Sequence, residues 1–181
     1  MTLRPAQAAL AEVLRAHAID EGEFTLASGR MSNWYLDGRQ VTFRGDCIKI
    51  VGAAIVEAIG PTEFDAVGGL AVGAVPVGLA VALVTGARSF AVRKEAKGHG
   101  VGGRMAGPIQ PGDRVLVVED TATSGGSLLD SVDAIEEFGC EIVGASLLLD
   151  RGGEVGGALE ARGIPYFPVL GAPDLGFAFG S

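Results

Sequence analysis

Positive charge, cysteine and long apolar runs are all in short supply here, and each shortage closes off a class of function. Fourteen Lys and Arg stand against 22 Asp and Glu, a formal charge of −8. A general nucleic-acid binder presents a basic face, so none is expected as a partner. The two cysteines, Cys47 and Cys140, lie far apart and lack metal-ligand spacing. Two lone buried thiols are expected, not a disulfide framework or a redox pair. The first residues lack the basic-then-apolar pattern of a secretory signal, and no apolar run reaches membrane-spanning length without glycine or polar breaks. The expectation is a cytoplasmic protein that does not engage a membrane. Internal repeats are missing too, and the small-residue stretch 119–127 has neither the Gly-x-Gly-x-x-Gly nor the Gly-Lys-Ser/Thr spacing, so it is not a dinucleotide or nucleoside-triphosphate cradle.

What is present is an ordinary apolar fraction, 48%, in 181 residues, enough for one well-buried core and too short for two independent domains. Ala6, Ala9, Leu10, Val13 and Leu14 share a face of a helix over residues 5–18. Short strands at 24–26 and 34–36, joined by a Ser28-Gly29-Arg30 turn, fall outside the later rhythm. A helix over 46–59 is predicted with Asp46 as its cap and Gly60-Pro61 as its stop. Strands at 64–67, 89–92, 114–118, 142–149 and 164–170 then alternate with helices at 72–84, 128–138 and 158–161, and residues 98–112 read as a long polar loop. Strand-helix alternation with near-continuous apolar strands predicts an α/β fold, a mainly parallel central sheet flanked by helices. The two N-terminal strands are expected to form a small lobe over its carboxyl edge, where such sheets bind ligands.

Two stretches carry chemistry. In the first, the apolar run 115–118 ends in Glu119-Asp120, followed by Thr121-Ala122-Thr123-Ser124-Gly125-Gly126-Ser127 and a helical pattern. Small residues let backbone N–H groups approach a phosphate, Thr123, Ser124 and Ser127 add hydroxyl donors, and the following helix presents its positive end. Two acids beside an anion cup would repel bare phosphate, yet they suit the ribose hydroxyls of a sugar phosphate, or its magnesium indirectly. The plainer alternative is a strand-helix loop in which Thr123 or Ser124 only caps the helix. The second stretch is Arg93-Lys94-Glu95-Ala96-Lys97-Gly98-His99-Gly100. Its four potentially cationic side chains at the mouth of a loop suit a polyphosphate, although a solvated basic loop has the same composition.

The 115–127 segment resembles the phosphoribosyl pyrophosphate (PRPP) signature of the type I phosphoribosyltransferases. That resemblance implies that the 121–127 loop holds the donor's 5′-phosphate while Glu119 and Asp120 contact its ribose hydroxyls. The basic cluster is similar to the Arg-Lys-x-x-Lys-x-His loop of the orotate phosphoribosyltransferases. By that likeness Arg93, Lys94, Lys97 and His99 contact the donor pyrophosphate, and Lys97, His99, Glu119 and Asp120 are the catalytic set. Arg151, in Asp150-Arg151-Gly152 after a buried strand, falls where that family recognises orotate, and Thr123 is expected near orotate as well. Residues 24–30, Ser32 and Tyr35 resemble the family's orotate-side segment.

The likeness further implies a single type I phosphoribosyltransferase domain over 1–181, with residues 20–45 contributing to a hood and 93–107 forming a flexible catalytic loop. It implies Mg2+ as cofactor, with no dedicated protein ligand set, and a homodimer in which the loop reaches the neighbouring subunit. Lysines common in relatives are replaced here by Ala27 and Gly73. The competing readings are a phosphoribosyltransferase for another base, such as a purine, and a PRPP-sensing regulator without turnover.

Overall fold

The chain begins with α1 (Pro5–His17), a hairpin of β1 (Ile19–Thr25) and β2 (Met31–Leu36), the short α2 (Arg39–Thr42) and α3 (Ile48–Ile59). Strands and helices then alternate: β3 (Ala66–Leu70), α4 (Ala74–Thr85), β4 (Arg88–Val92), β5 (Met105–Ala106), β6 (Arg114–Ala122), α5 (Gly126–Glu137), β7 (Glu141–Asp150), α6 (Val155–Glu160) and β8 (Tyr166–Gly171). A single 3-10 turn, Ala172–Leu175, follows. These elements come from a computed structural model that describes residues 3–25, 31–95, 103–122 and 125–179.

Among the described residues, six strands make one sheet in the order β5-β4-β3-β6-β7-β8, and β1-β2 pair separately. Only β5 runs antiparallel, beside β4; the other five strands are parallel. Helices on both faces give two apolar layers. Val67, Leu116, Val118 and Leu148 meet Leu10, Val51, Ile55 and Val77 on one side. Val115, Val117, Ala145 and Leu147 meet Leu128, Val132, Ile135 and Leu159 on the other. The inner strands are therefore apolar at successive positions, as a doubly covered parallel sheet requires. Truncating a fully buried leucine such as Leu148 to alanine would cost about 2–5 kcal/mol.

Several expectations shift. The hairpin strands are longer than their apolar cores because the two edges pair from Ile19↔Leu36 to Thr25↔Met31, with a bulge between Glu21 and Phe24. Residues 26–30, the expected turn, lie outside the described residues. Asp46 does not cap α3: its carboxylate accepts both arms of Arg44 at 3.0 and 2.7 Å, and Cys47 occupies the cap position without a side-chain bond. Gly60 does end α3, at φ +60°. Strand β3 runs through Gly68-Gly69 instead of stopping there, because a side chain at either position would meet the carbonyl of Phe90 or Val118 on the flanking strands. The loop expected over 98–112 contains β5 in its described part. Cys47 is buried but Cys140 only half so, its thiol donating to the Gln110 carbonyl at 3.2 Å; both are free.

Candidate active site

The acid pair is part of a strand, not of a loop. Pairing of β6 with β7 continues through Thr121↔Leu149 and Ala122↔Asp150, so the ladder carries β6 four residues beyond the expected end at Val118. Glu119 and Asp120 are thereby held by the most extensive strand pair of the sheet. Glu119 is 5% exposed; its Oε1 accepts the Asp120 N–H at 3.2 Å, and Asp120 Oδ1 accepts the Thr121 N–H at 2.7 Å. Burial, reinforced by the neighbouring Asp120 charge, pushes the Glu119 carboxyl up to about 8. Burial likewise raises Asp120, against the stabilising Thr121 N–H. Two carboxyls this dry and this close accept positive charge, or donate hydrogen bonds, far more readily than surface acids.

Two adjoining recesses share Glu119, Thr121 and Ser127. A cup of about 210 Å³ is lined by Glu119, Thr121, Ala122, Gly125, Gly126, Ser127 and Leu128. Gly125 sits at φ +77°, and a Cβ there would lie 2.5 Å from Val155, so glycine is required to start α5 at this point. The exposed Gly126 and Ser127 form the first turn of α5, where free N–H groups and the helix dipole favour an anion by roughly 0.3–2 kcal/mol. The second recess, about 370 Å³, is lined by the end of the hairpin (Tyr35, Leu36), Asp37, Gly38, Arg39, the 70–73 turn, Glu119, Asp120, Thr121 and Ser127. The hairpin thus ends over the carboxyl edge of the sheet.

The 70–73 turn approaches the acids closely. A Cβ on Gly73 would lie 2.8 Å from Glu119 Oε1 and 3.1 Å from Asp120 Oδ1. Ala71 N–H donates to the Val92 carbonyl at 2.8 Å, tying this turn to the end of β4, where the basic stretch begins.

Sequence reasoning missed Asp37 and Arg39. Among the described residues lining the larger recess, Arg39 is the one cation. Asp37 holds its guanidinium through bonds of 2.7 and 3.2 Å, and that arginine keeps the Asp37 carboxyl below its usual range. An Asp-Gly dipeptide reads as a turn and nothing more; only the fold brings Gly38 to where a Cβ would be 3.3 Å from Asp120 Oδ2.

The other expected residues are distributed as follows. Thr121, Ala122, Gly125, Gly126 and Ser127 line the cup with Glu119. Arg93 follows β4, its backbone locked to Arg104 (N–H to carbonyl, 2.7 Å) and its side chain turned toward the carbonyls of Gly103 and Met105 at 3.4 Å. Lys94 is exposed; neither of the two lines the recesses. Lys97, His99, Thr123 and Ser124 lie outside the described residues. Arg151 is 6% exposed; its N–H donates to the Ala122 carbonyl at 3.0 Å and its guanidinium lies 4.1 Å above the Trp34 ring. Desolvation lowers its pKa, with the Tyr35 hydroxyl acting the other way.

A strand-end acid pair, a glycine-gated anion cup and a facing turn are the parts of a site for phosphorylated sugars. The family model of the phosphoribosyl transferase domain matches residues 46–156, which include β3 to β7 and the whole cup. Orotate phosphoribosyltransferase of Corynebacterium glutamicum (strain R) is 42% identical over 173 residues, 94% of each chain. Crystal structures of Mycobacterium tuberculosis orotate phosphoribosyltransferase superpose with TM-scores of 0.87 (Fe(III) dicitrate complex, 39% identical) and 0.83 (PRPP complex, 36% identical), each covering 96% of this chain and all of the other. The chain belongs to the phosphoribosyltransferases of type I fold, and within them to the orotate phosphoribosyltransferase family.

Proposed function

We propose that this enzyme transfers the phosphoribosyl group of PRPP to orotate, giving orotidine 5′-phosphate and pyrophosphate in pyrimidine nucleotide biosynthesis. The observation that carries the reading is Glu119, buried and lining both the anion cup and the larger recess, with the half-buried Asp120 beside it in the larger one. A 5-phosphorylated ribose spans the two, with its phosphate at the N-terminus of α5 and its hydroxyls on the acids. In this reading Thr123 and Ser124 complete the cup.

The bond broken is at ribose C1. Pyrophosphate leaves with its electron pair, orotate N1 attacks the opposite face, and the transition state has oxocarbenium character. Glu119 and Asp120 hold the ribose hydroxyls beside the developing positive charge, where carboxylates in a dry site are most effective. Arg93, Lys94, Lys97 and His99 neutralise the departing pyrophosphate, the loop between β4 and β5 closing on it and excluding water; Met105 and Ala106, expected within the flexible 93–107 stretch, pair with β4 instead. Arg151 and Thr123 recognise orotate, the guanidinium fork matching its carboxylate. The hairpin, within residues 20–45, acts as the hood. The enzyme's work is orientation and charge stabilisation without a covalent nucleophile.

The donor set suits magnesium carried by the substrate. Two carboxylates, Glu119 buried and Asp120 half-buried, stand where a hard cation needs one or two in addition to phosphate oxygens. Glu119 and Asp120 would hold it through the ribose hydroxyls. When bound, the ion supplies Lewis-acid neutralisation of the leaving group.

A homodimer is supported by α4, a helix without a charged residue that nevertheless exposes Leu79, Leu83 and Val84, with Val72 just before it. A contiguous apolar stripe of this kind marks a contact surface. The loop's reach into the partner's site follows the family likeness. A cytoplasmic location is proposed with it; no helix among the described residues is long and apolar enough to cross a membrane.

The test is direct. Purified protein with Mg2+, PRPP and orotate should consume orotate, followed by its ultraviolet absorbance, with pyrophosphate released in step. Turnover of adenine or hypoxanthine with orotate untouched would overturn the base assignment, and PRPP binding without turnover of any base would make the chain a sensor.

A further inference from the structure

Trp34, the chain's one tryptophan, is fully buried on the inward face of β2, whose residues alternate so that Ser32, Trp34 and Leu36 point in while Met31, Asn33 and Tyr35 point out. Two planar groups press on its indole. The Phe177 ring stacks nearly parallel to it, 7° between planes with centroids 4.3 Å apart. The Arg151 guanidinium carbon lies 4.1 Å from the ring centroid. One face of an indole has room for one such group at this distance, so Trp34 is sandwiched between them. The next residue, Tyr35, lines the recess that holds the acid pair. The same strand therefore faces the acids with one side chain and backs Arg151 with its neighbour.

We propose that Trp34, supported from behind by Phe177, is a positioning residue that sets the plane of the Arg151 guanidinium for the carboxylate of the acidic pyrimidine. The inference rests on the reading of Arg151 as the orotate-contacting arginine. A guanidinium binds a carboxylate well only when its planar fork is aligned with both oxygens. The long arginine side chain would otherwise lose several rotatable bonds' worth of freedom on binding. Packing against an aromatic face restricts that plane in advance of binding. The 3.0 Å bond from Arg151 N–H to the Ala122 carbonyl fixes the base of the same side chain against the strand that carries the acids. The stack thereby ties base recognition to the donor site through one rigid layer.

The experiment is a steady-state comparison of wild type, Trp34→Leu, Trp34→Phe, Arg151→Ala and the Trp34→Leu/Arg151→Ala double variant. Trp34→Leu should raise the orotate KM about tenfold, which is about 1.4 kcal/mol, while the PRPP KM stays within about twofold. Trp34→Phe, which keeps an aromatic face, should recover most of the loss. In the Arg151→Ala background, Trp34→Leu should add nothing, since a residue that acts through another loses its effect when the other is gone. If Arg151→Ala itself leaves the orotate KM unchanged, the reading of Arg151 fails, and the proposal with it. If Arg151→Ala does raise it, three results overturn the positioning role alone: an unchanged orotate KM in Trp34→Leu, equal effects on both substrates, or an undiminished effect in the double variant. Should Trp34→Leu not fold, Phe177→Ala decides the matter, because Phe177 is only partly buried. A rise of about threefold in orotate KM alone is then expected, and no rise overturns the proposal.

Discussion

Replacing Glu119 by glutamine should make the folded protein more stable and the enzyme far less active, with a pH dependence that identifies the cause. Glutamine keeps the shape and keeps an oxygen to accept the Asp120 N–H, now at 3.2 Å, while removing the charge that burial disfavours. The carboxyl is raised from 4.5 to about 8, mostly by desolvation and next by Asp120. An acid whose folded pKa lies above its unfolded value keeps its proton longer when folded. Its contribution is therefore most favourable below about pH 4.5, falls as pH rises to about 8, and is level beyond. At about 1.4 kcal/mol per pH unit the full span corresponds to about 5 kcal/mol. That is an upper limit, because water admitted on ionisation relaxes part of the penalty. A gain of about 2 kcal/mol for Glu119→Gln above pH 8 would raise Tm by roughly 4–8 °C in a chain of this size. Near pH 5 both folded proteins carry a neutral group at 119, and the difference should shrink to within about 1 kcal/mol. The assay is thermal or urea unfolding of both proteins from about pH 5 to 9 at one protein concentration, paired with turnover, expected to drop roughly 100-fold or more. Equal Tm differences at both ends of the range, or a less stable variant at high pH, would refute the account of a charge held at a desolvation cost.

Two other outcomes are expected. Lys97→Ala should lower kcat by about 10²–10³ with stability changed by no more than about 0.5 kcal/mol, since a lysine in so polar and glycine-rich a stretch has little core to lose; unaltered turnover in the absorbance assay would remove it from the catalytic set. Leu83→Asp places a charge in the middle of the apolar α4 stripe, where leucine is 60% exposed, and should shift sedimentation velocity from dimer toward monomer while far-ultraviolet circular dichroism is unchanged. The same sedimentation coefficient for both proteins would move the subunit contact elsewhere.

The parts of this site that were legible in the residues are those whose chemistry is local. An apolar strand, two acids, small hydroxyl residues and glycines must be consecutive to make a cup at a strand-helix junction, so 115–127 announced itself. Parallel α/β architecture was equally visible, because strands covered on both faces leave no polar alternation. What stayed hidden depends on contacts between distant segments. Gly68-Gly69 looked like a strand terminus, yet the neighbours' carbonyls demand glycine in mid-strand. Asp46 looked like a cap until Arg44 proved the nearer partner. Trp34 read only as part of a short strand; its place between Phe177 and Arg151 joins three widely separated segments. Asp37 and Arg39 acquire meaning only when the hairpin folds over the acid pair.

The narrow gap at Gly73 sets what a side chain at that position would disturb. A Cβ there would sit 2.8 Å from Glu119 Oε1 and 3.1 Å from Asp120 Oδ1, the far ends of two side chains and not backbone. Room for it is made by turning those carboxyls while the strand that carries them stays in place. A substitution at Gly73 is therefore expected to be felt as a misdirected acid pair, with the sheet beneath left as it was.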